Sequence, residues 1–254
     1  MSDVLLYFCP MLQNLILLLL GGLFLSQTLS SSEADSVYTP FPKETQSNQR
    51  ILDSVTPSGH VIKYDYFSNG RVKHERRYKG THQDGLQRWF FENGNIKMEQ
   101  EFSMNIMHGF RKTWFLSGHM RCYEYFNRGR FDSTHTCWYE NGRIRNTKNY
   151  KMGVEHGVQQ TFYNSGQLNL DENYHEGKKH GLQIWYYESG KKKRESNYKH
   201  GEEHGLQITY YASGEVNTVQ NYKDGKRHGV QKWYYENGQL LRERTYNEGE
   251  LIED

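Results

Sequence analysis

The chain has little aliphatic material and almost no net charge. Only 35% of its 254 residues are hydrophobic, yet these include 20 Tyr, 12 Phe and 5 Trp. A thick aliphatic core is therefore excluded, and flat β surfaces carrying aromatic rings are favoured. The formal charge is +2, and all 32 Lys and Arg lie after residue 42 with 27 of the 30 acids. That mild basic excess falls short of the concentrated patch a nucleic-acid binder needs, so nucleic acid is not an expected partner. Three cysteines cannot build a four-ligand zinc site, since Cys9 sits apart in an apolar leader and leaves only Cys122 and Cys137. Neither G-x-G-x-x-G nor a P-loop opens a helix, which leaves phosphate cradling without support. No Asn-x-Ser/Thr sequon occurs despite many asparagines.

The first 42 residues contain no Lys or Arg, and residues 15–25 read "LILLLLGGLFL". Small residues at Thr28 and Ser30 suit a cleavage site, so residues 1–30 are expected to be a signal peptide or an uncleaved membrane anchor. Membrane contact through residues 5–25 follows from either reading, as does a secreted or membrane-anchored location rather than a cytoplasmic one. Residues 31–57 are polar, contain Pro40, Pro42 and Pro57, and read as an exposed linker.

From residue 58 a 24-residue period runs to the end without insertion or deletion, about eight times. One column reads Gly70, Gly94, Gly118, Gly142, Gly166, Gly190, Gly214, Gly238. A second holds Gly85, Gly109, Gly157, Gly181, Gly205 and Gly229, with Val61 and Ser133 in the first and fourth units. Each unit reads as a β-hairpin. "YYENGQLL" (residues 234–241) places Asn237-Gly238 between two strand-like runs, the pattern of a type I′ turn with positive φ at both central residues. That turn sets Tyr235 opposite Leu240, Trp233 opposite Arg242 and Gly229 opposite Tyr246. Asp224-Gly225 and its equivalents return the chain to the next unit. Two short strands per unit leave no room for a crossover helix. The expected fold is all-β: an elongated, twisted, single-layer antiparallel meander over residues 58–254. Sixteen strands at about 4.8 Å make a ribbon about 75 Å long, with aromatic columns on both faces.

The recurring pattern H-G-x-Q-x-W-Y-Y-x-x-G, followed by x-Y-x-x-G, resembles the MORN repeat in its longer variant. That variant typifies bacterial antitoxin repeat proteins of the YwqK type. The resemblance covers residues 58–250, and the chain lacks the Y-x-G-x-W start of the shorter MORN pattern. It implies an elongated sheet without catalytic activity and an interaction role: scaffolding, membrane-proximal tethering or neutralising a partner protein.

The residues themselves agree with a non-enzymatic reading. Ser, His and acidic residues recur periodically, and no unique constellation interrupts the repeat, so no catalytic, cofactor or metal residues are assigned. His60, His108, His156, His180, His204 and His228 share one column, but hairpins repeat about every 10 Å, too far apart for one column to converge on an ion. Asp84 and Asp132 in that column suggest a polar side chain capping a turn. Gln87, Gln159, Gln183, Gln207 and Gln231 form either a cross-strand amide ladder or a polar recognition stripe. A single-layer sheet cannot bury two aromatic faces, and the candidate surface for a partner protein is Trp89, Trp185, Trp233, Tyr139, Tyr163, Tyr187, Tyr211 and Tyr235. The expected function is a secreted or membrane-tethered scaffold, with a cytosolic antitoxin-like inhibitor as the alternative. No small-molecule substrate or cofactor is implied. Cys122 and Cys137 flank the turn at Arg128-Gly129. A two-residue turn there pairs Cys137 with Met120, whereas a loop two residues longer sets the cysteines opposite each other. A bridge and two unrelated thiols both remain open.

Overall fold

The computed structural model describes residues 54–253, which belong to one compact unit over residues 50–254. The leader, most of the linker and Cys9 lie outside the described residues. Among the described residues, the first strand lies within the segment read as linker: Ser54 and Val55 pair with Ile62 and Val61. Onward from there each strand pairs antiparallel with its neighbours along the chain, a meander that ends with Leu240–Asn247 against Glu250–Glu253. Among the described residues the sheet has twenty-three strands rather than sixteen, because a bulge cuts five opening strands in two and the short strands Ser54–Val55 and Glu250–Glu253 are added at the ends.

Three irregularities recur, and each answers to particular residues. The first is the turn within the hairpin. Gly238 N–H donates to Tyr235 O (2.9 Å) and Tyr235 N–H to Gln239 O (2.9 Å), which makes a three-residue loop with positive φ at Gly238 and not at Asn237. This is a type I turn closed by a left-handed glycine, not the type I′ turn expected from Asn-Gly. The asparagine serves a different purpose. Its Oδ1 accepts the N–H two residues on, as Asn237 does from Gln239 and Asn69, Asn93 and Asn141 do in their own turns. The extra residue shifts the register, so that Tyr234, not Tyr235, faces Leu240, while Trp233↔Arg242 and Gly229↔Tyr246 stand as expected.

The second irregularity is the connection between repeats, and this is where the type I′ geometry lies. Asp224 (φ 49°) and Gly225 (φ 77°) both adopt positive φ between the paired Lys223 and Lys226.

The third is the bulge at the second glycine column. Between the pairs Tyr222↔Arg227 and Val219↔Lys232, residues 228–231 stand opposite only Gln220 and Asn221. Gly229 takes φ 75° there. The same bulge resolves the cysteine register. The turn at Arg128-Gly129 is tight, with Asn127 opposite Arg130, but residues 132–135 then bulge and carry Cys137 past Met120 to Cys122. The two cysteines are bonded, with Cα atoms 4.0 Å apart.

The best-buried residues of this sheet are polar. Gln87, Gln183 and Gln231 are 0% exposed and Gln159 is 3%, whereas the buried hydrophobic side chains among the described residues are Ile62, Cys122, Phe126 and Cys137. At four of the bulges a glutamine amide pairs with the residue of the preceding strand beside the break in the ladder, whereas Gln207 bonds the Glu203 carboxylate (2.7 Å). Gln183 Oε1 accepts from Asn173 N–H (3.1 Å) while its Nε2 donates to Asn173 O (3.1 Å). Gln87 does the same at Arg77, Gln159 at Asn149 and Gln231 at Asn221. A buried backbone group needs a partner, and a side-chain amide offers the same donor and acceptor pair as a peptide. The glutamine column is a structural spine rather than a recognition stripe.

Candidate functional site

Alternation along each strand sorts the side chains onto two faces. Gln231, Trp233, Arg242 and Tyr246 share one face, and Val230, Lys232, Tyr234 and Glu243 share the other. The glutamine spine therefore lies under the tryptophan face. There the aromatic rings pair with cations or with another ring: Arg194 lies 4.9 Å and Lys179 5.6 Å from the Trp185 ring, Arg242 lies 5.1 Å from Trp233, and the His74 ring meets Trp89 edge-on at 6.2 Å. All three tryptophans are half-buried by these contacts.

The tyrosines of the expected interaction surface are engaged in holding the repeats together. Tyr139 Oη donates to Phe162 O (2.7 Å), Tyr163 to Tyr186 O (2.8 Å), Tyr187 to Tyr210 O (2.8 Å) and Tyr211 to Tyr234 O (2.7 Å). Each hydroxyl reaches the carbonyl 23 residues on, in the following hairpin. Tyr235, in the last hairpin, is 50% exposed. The structure thus lines up these eight residues at regular intervals, but it spends most of their polar and aromatic surface on the sheet itself.

The opposite face holds a row that sequence reasoning missed. Val158, Leu182 and Leu206 occupy one column and are 40–44% exposed. Ile184, Ile208, Tyr186 and Tyr210 flank them on the same face, half-buried. The signal was present in the sequence: this column reads Ile62, Leu86, Phe110, Val158, Leu182, Leu206 and Val230, apolar in every repeat but the fourth, which has Thr134.

The histidine column does cap turns in part, through its acidic members. Asp84 Oδ1 accepts from Met104 N–H (3.2 Å), and Asp132 Oδ1 from Met152 N–H (3.4 Å). His60 Nε2 bonds Asp84 Oδ2 at 2.9 Å, a contact that holds the Asp84 carboxyl below the usual carboxylate range. His156, His175, His180 and His200 form a zigzag of rings 5.4–5.9 Å apart along one edge. Among the described residues, no group of three or more His, Cys, Asp or Glu is placed to hold a metal ion.

His135 stands in the glutamine column of the fourth repeat. It is 5% exposed, its Nε2 faces Tyr125 O at 3.3 Å, and burial pushes its imidazole below the usual range. An unfolded chain then binds a proton near pH ~6.5 that the folded one refuses. Stability is therefore full above that value and falls as pH drops toward the folded pKa. His135→Gln is expected to remove this loss. Urea midpoints at about pH 7.5 and about pH 5 check it: the variant should gain on the wild type at the lower pH, and an equal difference at both would refute the argument.

A meander of near-identical hairpins, joined by inter-repeat hydrogen bonds and a spine of backbone-mimicking amides, defines a repeat scaffold. The family model described as the MORN repeat variant matches residues 83–103, 155–176, 179–200, 203–224 and 227–248. The chain belongs to this family of MORN repeats. The five matched stretches are the five repeats with glutamine in this column, Gln87, Gln159, Gln183, Gln207 and Gln231; the others carry Lys63, Arg111 and His135 at that position. No curated protein matches the sequence. MORN repeats are typically protein- or membrane-interaction scaffolds, a family not known for enzymatic activity.

Proposed function

We propose that the chain is a non-enzymatic scaffold that binds a partner protein through the apolar face of repeats five to seven. The observation that carries this reading is the row Val158, Leu182 and Leu206, exposed at 40–44% and spaced by one hairpin, about 10 Å, per step. Ile184, Ile208, Tyr186 and Tyr210 flank the row on the same face, with Asn173 and Asn197 of the intervening strands between its members, and repeated exposed apolar side chains of this kind mark an interface. The tyrosine column is a weaker candidate because its hydroxyls are already bonded within the sheet. The apolar run at residues 15–25 supports a secreted or membrane-tethered location.

Affinity capture with the full chain and with a Leu182→Asp, Leu206→Asp variant tests the proposal. Both side chains are surface-exposed, so the variant should melt like the wild type while losing the captured protein. The same protein retained by both chains at equal yield sinks it, as does failure of the wild type to retain any protein.

A further inference from the structure

At the hairpin-turn edge of the tryptophan face, the first three repeats enclose a groove of about 460 Å³. Its floor contains Phe67, Trp89, Phe91 and Phe115, and its rim carries Lys73, Lys97 and Arg121. No acidic residue lines it. The groove exists because the column that holds Tyr139, Tyr163, Tyr187 and Tyr211 further along holds phenylalanine here. Without a hydroxyl, Phe67, Phe91 and Phe115 cannot make the carbonyl bond that fastens the tyrosines to the next repeat.

The cations repeat with the rings. Lys73 lies 5.9 Å from the Phe67 ring, Lys97 5.7 Å from Phe91 and Arg121 5.8 Å from Phe115. Each rests on an aromatic ring rather than on a carboxylate of the described residues, so its charge is available to a ligand. Successive cations stand two strands apart, about 9.6 Å. A polyproline II helix has three residues per turn and a rise of about 3.1 Å, so every third side chain points the same way at intervals of roughly 9.3 Å. A β-strand does not fit this comb, because its side chains alternate and residues three apart point to opposite sides. Aromatic floors are the usual docking surface for polyproline II segments, whose preformed backbone loses little entropy on binding.

We infer that this groove binds an acidic, proline-rich peptide in the polyproline II conformation, with a carboxylate at every third residue facing Lys73, Lys97 and Arg121 and prolines lying on the phenylalanine rings. The site is distinct from the apolar row on the opposite face, and either reading stands or falls without the other.

A fluorescently labelled Glu-Pro-Pro repeat peptide of about twelve residues provides the probe, with a control of equal composition whose glutamates are grouped at one end. Anisotropy with the full chain at low salt should show the periodic peptide binding about tenfold more tightly than the grouped one. Lys97→Glu should weaken the periodic peptide by about tenfold or more, with its melting temperature unchanged. Should that variant fail to fold, Arg121→Gln is read in its place and should weaken binding in the same direction. Lys193→Glu alters the same column where Tyr187 is bonded to Tyr210 O, outside the groove, and should leave binding unchanged. Equal affinity for the two peptides, no affinity for either, an equal loss with Lys193→Glu, or tighter binding of an oligothymidylate of matched charge overturns the proposal.

Discussion

Replacing Gln183 with leucine is expected to destabilise the sheet by about 2 kcal/mol, although the two side chains are similar in size. The amide is 0% exposed and bonds both the N–H and the O of Asn173. Leucine fills the space but leaves the Asn173 N–H without a partner, at about 1–3 kcal/mol, while Asn173 O keeps the bond it accepts from His180 N–H (2.9 Å). The N–H cannot turn elsewhere, because the bulge around Gly181 has already removed its ladder partner. Urea denaturation measures the loss. Hydrogen exchange localises it, since repeat proteins open in nearest-neighbour fashion and Asn173 should lose protection before distant repeats do. A change of less than about 0.5 kcal/mol would mean that the backbone of Asn173 finds other partners, and the amide spine would lose its claimed role.

Removal of the Cys122–Cys137 bridge should have a comparable effect. The two residues are 15 apart, and closing a loop of that size limits the unfolded chain by about 3 kcal/mol. Both cysteines are buried beside a cluster in which the Phe131 ring lies 4.4 Å from His135 and 5.2 Å from Tyr150. That packing holds the fourth repeat in register, where a histidine stands in place of the bridging glutamine. A Cys122→Ala, Cys137→Ala variant is therefore expected to melt about 6–12 °C lower than the oxidised protein. Wild type treated with reductant should fall toward the same value. Intact mass after alkylation without reductant supplies the chemical check. Two alkylated cysteines in material from an oxidising compartment would remove the bridge, and equal melting with and without reductant would remove its contribution to stability.

Much of the fold can be read from the sequence because its signals are local. Gly142 and its column need positive φ whatever surrounds them, so an unbroken 24-residue glycine period implies a hairpin array on backbone sterics alone. The pairing of Gly229 with Tyr246 follows from counting residues between turns, and the structure keeps it. Reading the turn type from Asn-Gly failed at Asn237 because asparagine has two uses in turns. It tolerates positive φ, and it accepts a hydrogen bond from the N–H two residues on; here the second applies.

The candidate site was less legible. A tyrosine at 187 looks the same in sequence whether its ring faces a partner or its hydroxyl bonds a carbonyl in the next hairpin. Only the positions of two repeats relative to each other distinguish these, and neighbouring residues do not encode them. The exposed row at Val158, Leu182 and Leu206 was visible as a period but not as a surface. Exposure depends on which face the bulges and the glutamine spine have already filled.

By itself the sequence determined the repeat length, the antiparallel meander, the alternation of faces and the composition of every column. Those properties depend on steric rules acting over a few residues and on a period that repeats them. The tertiary structure alone decided that Cys137 meets Cys122 rather than Met120, that the glutamines replace missing ladder bonds, and that phenylalanines open a groove where tyrosines close one. Each of these turns on a bulge or a contact between hairpins 23 or 24 residues apart. A single inserted residue in one strand changes which side chains meet across the sheet, and composition carries no record of it.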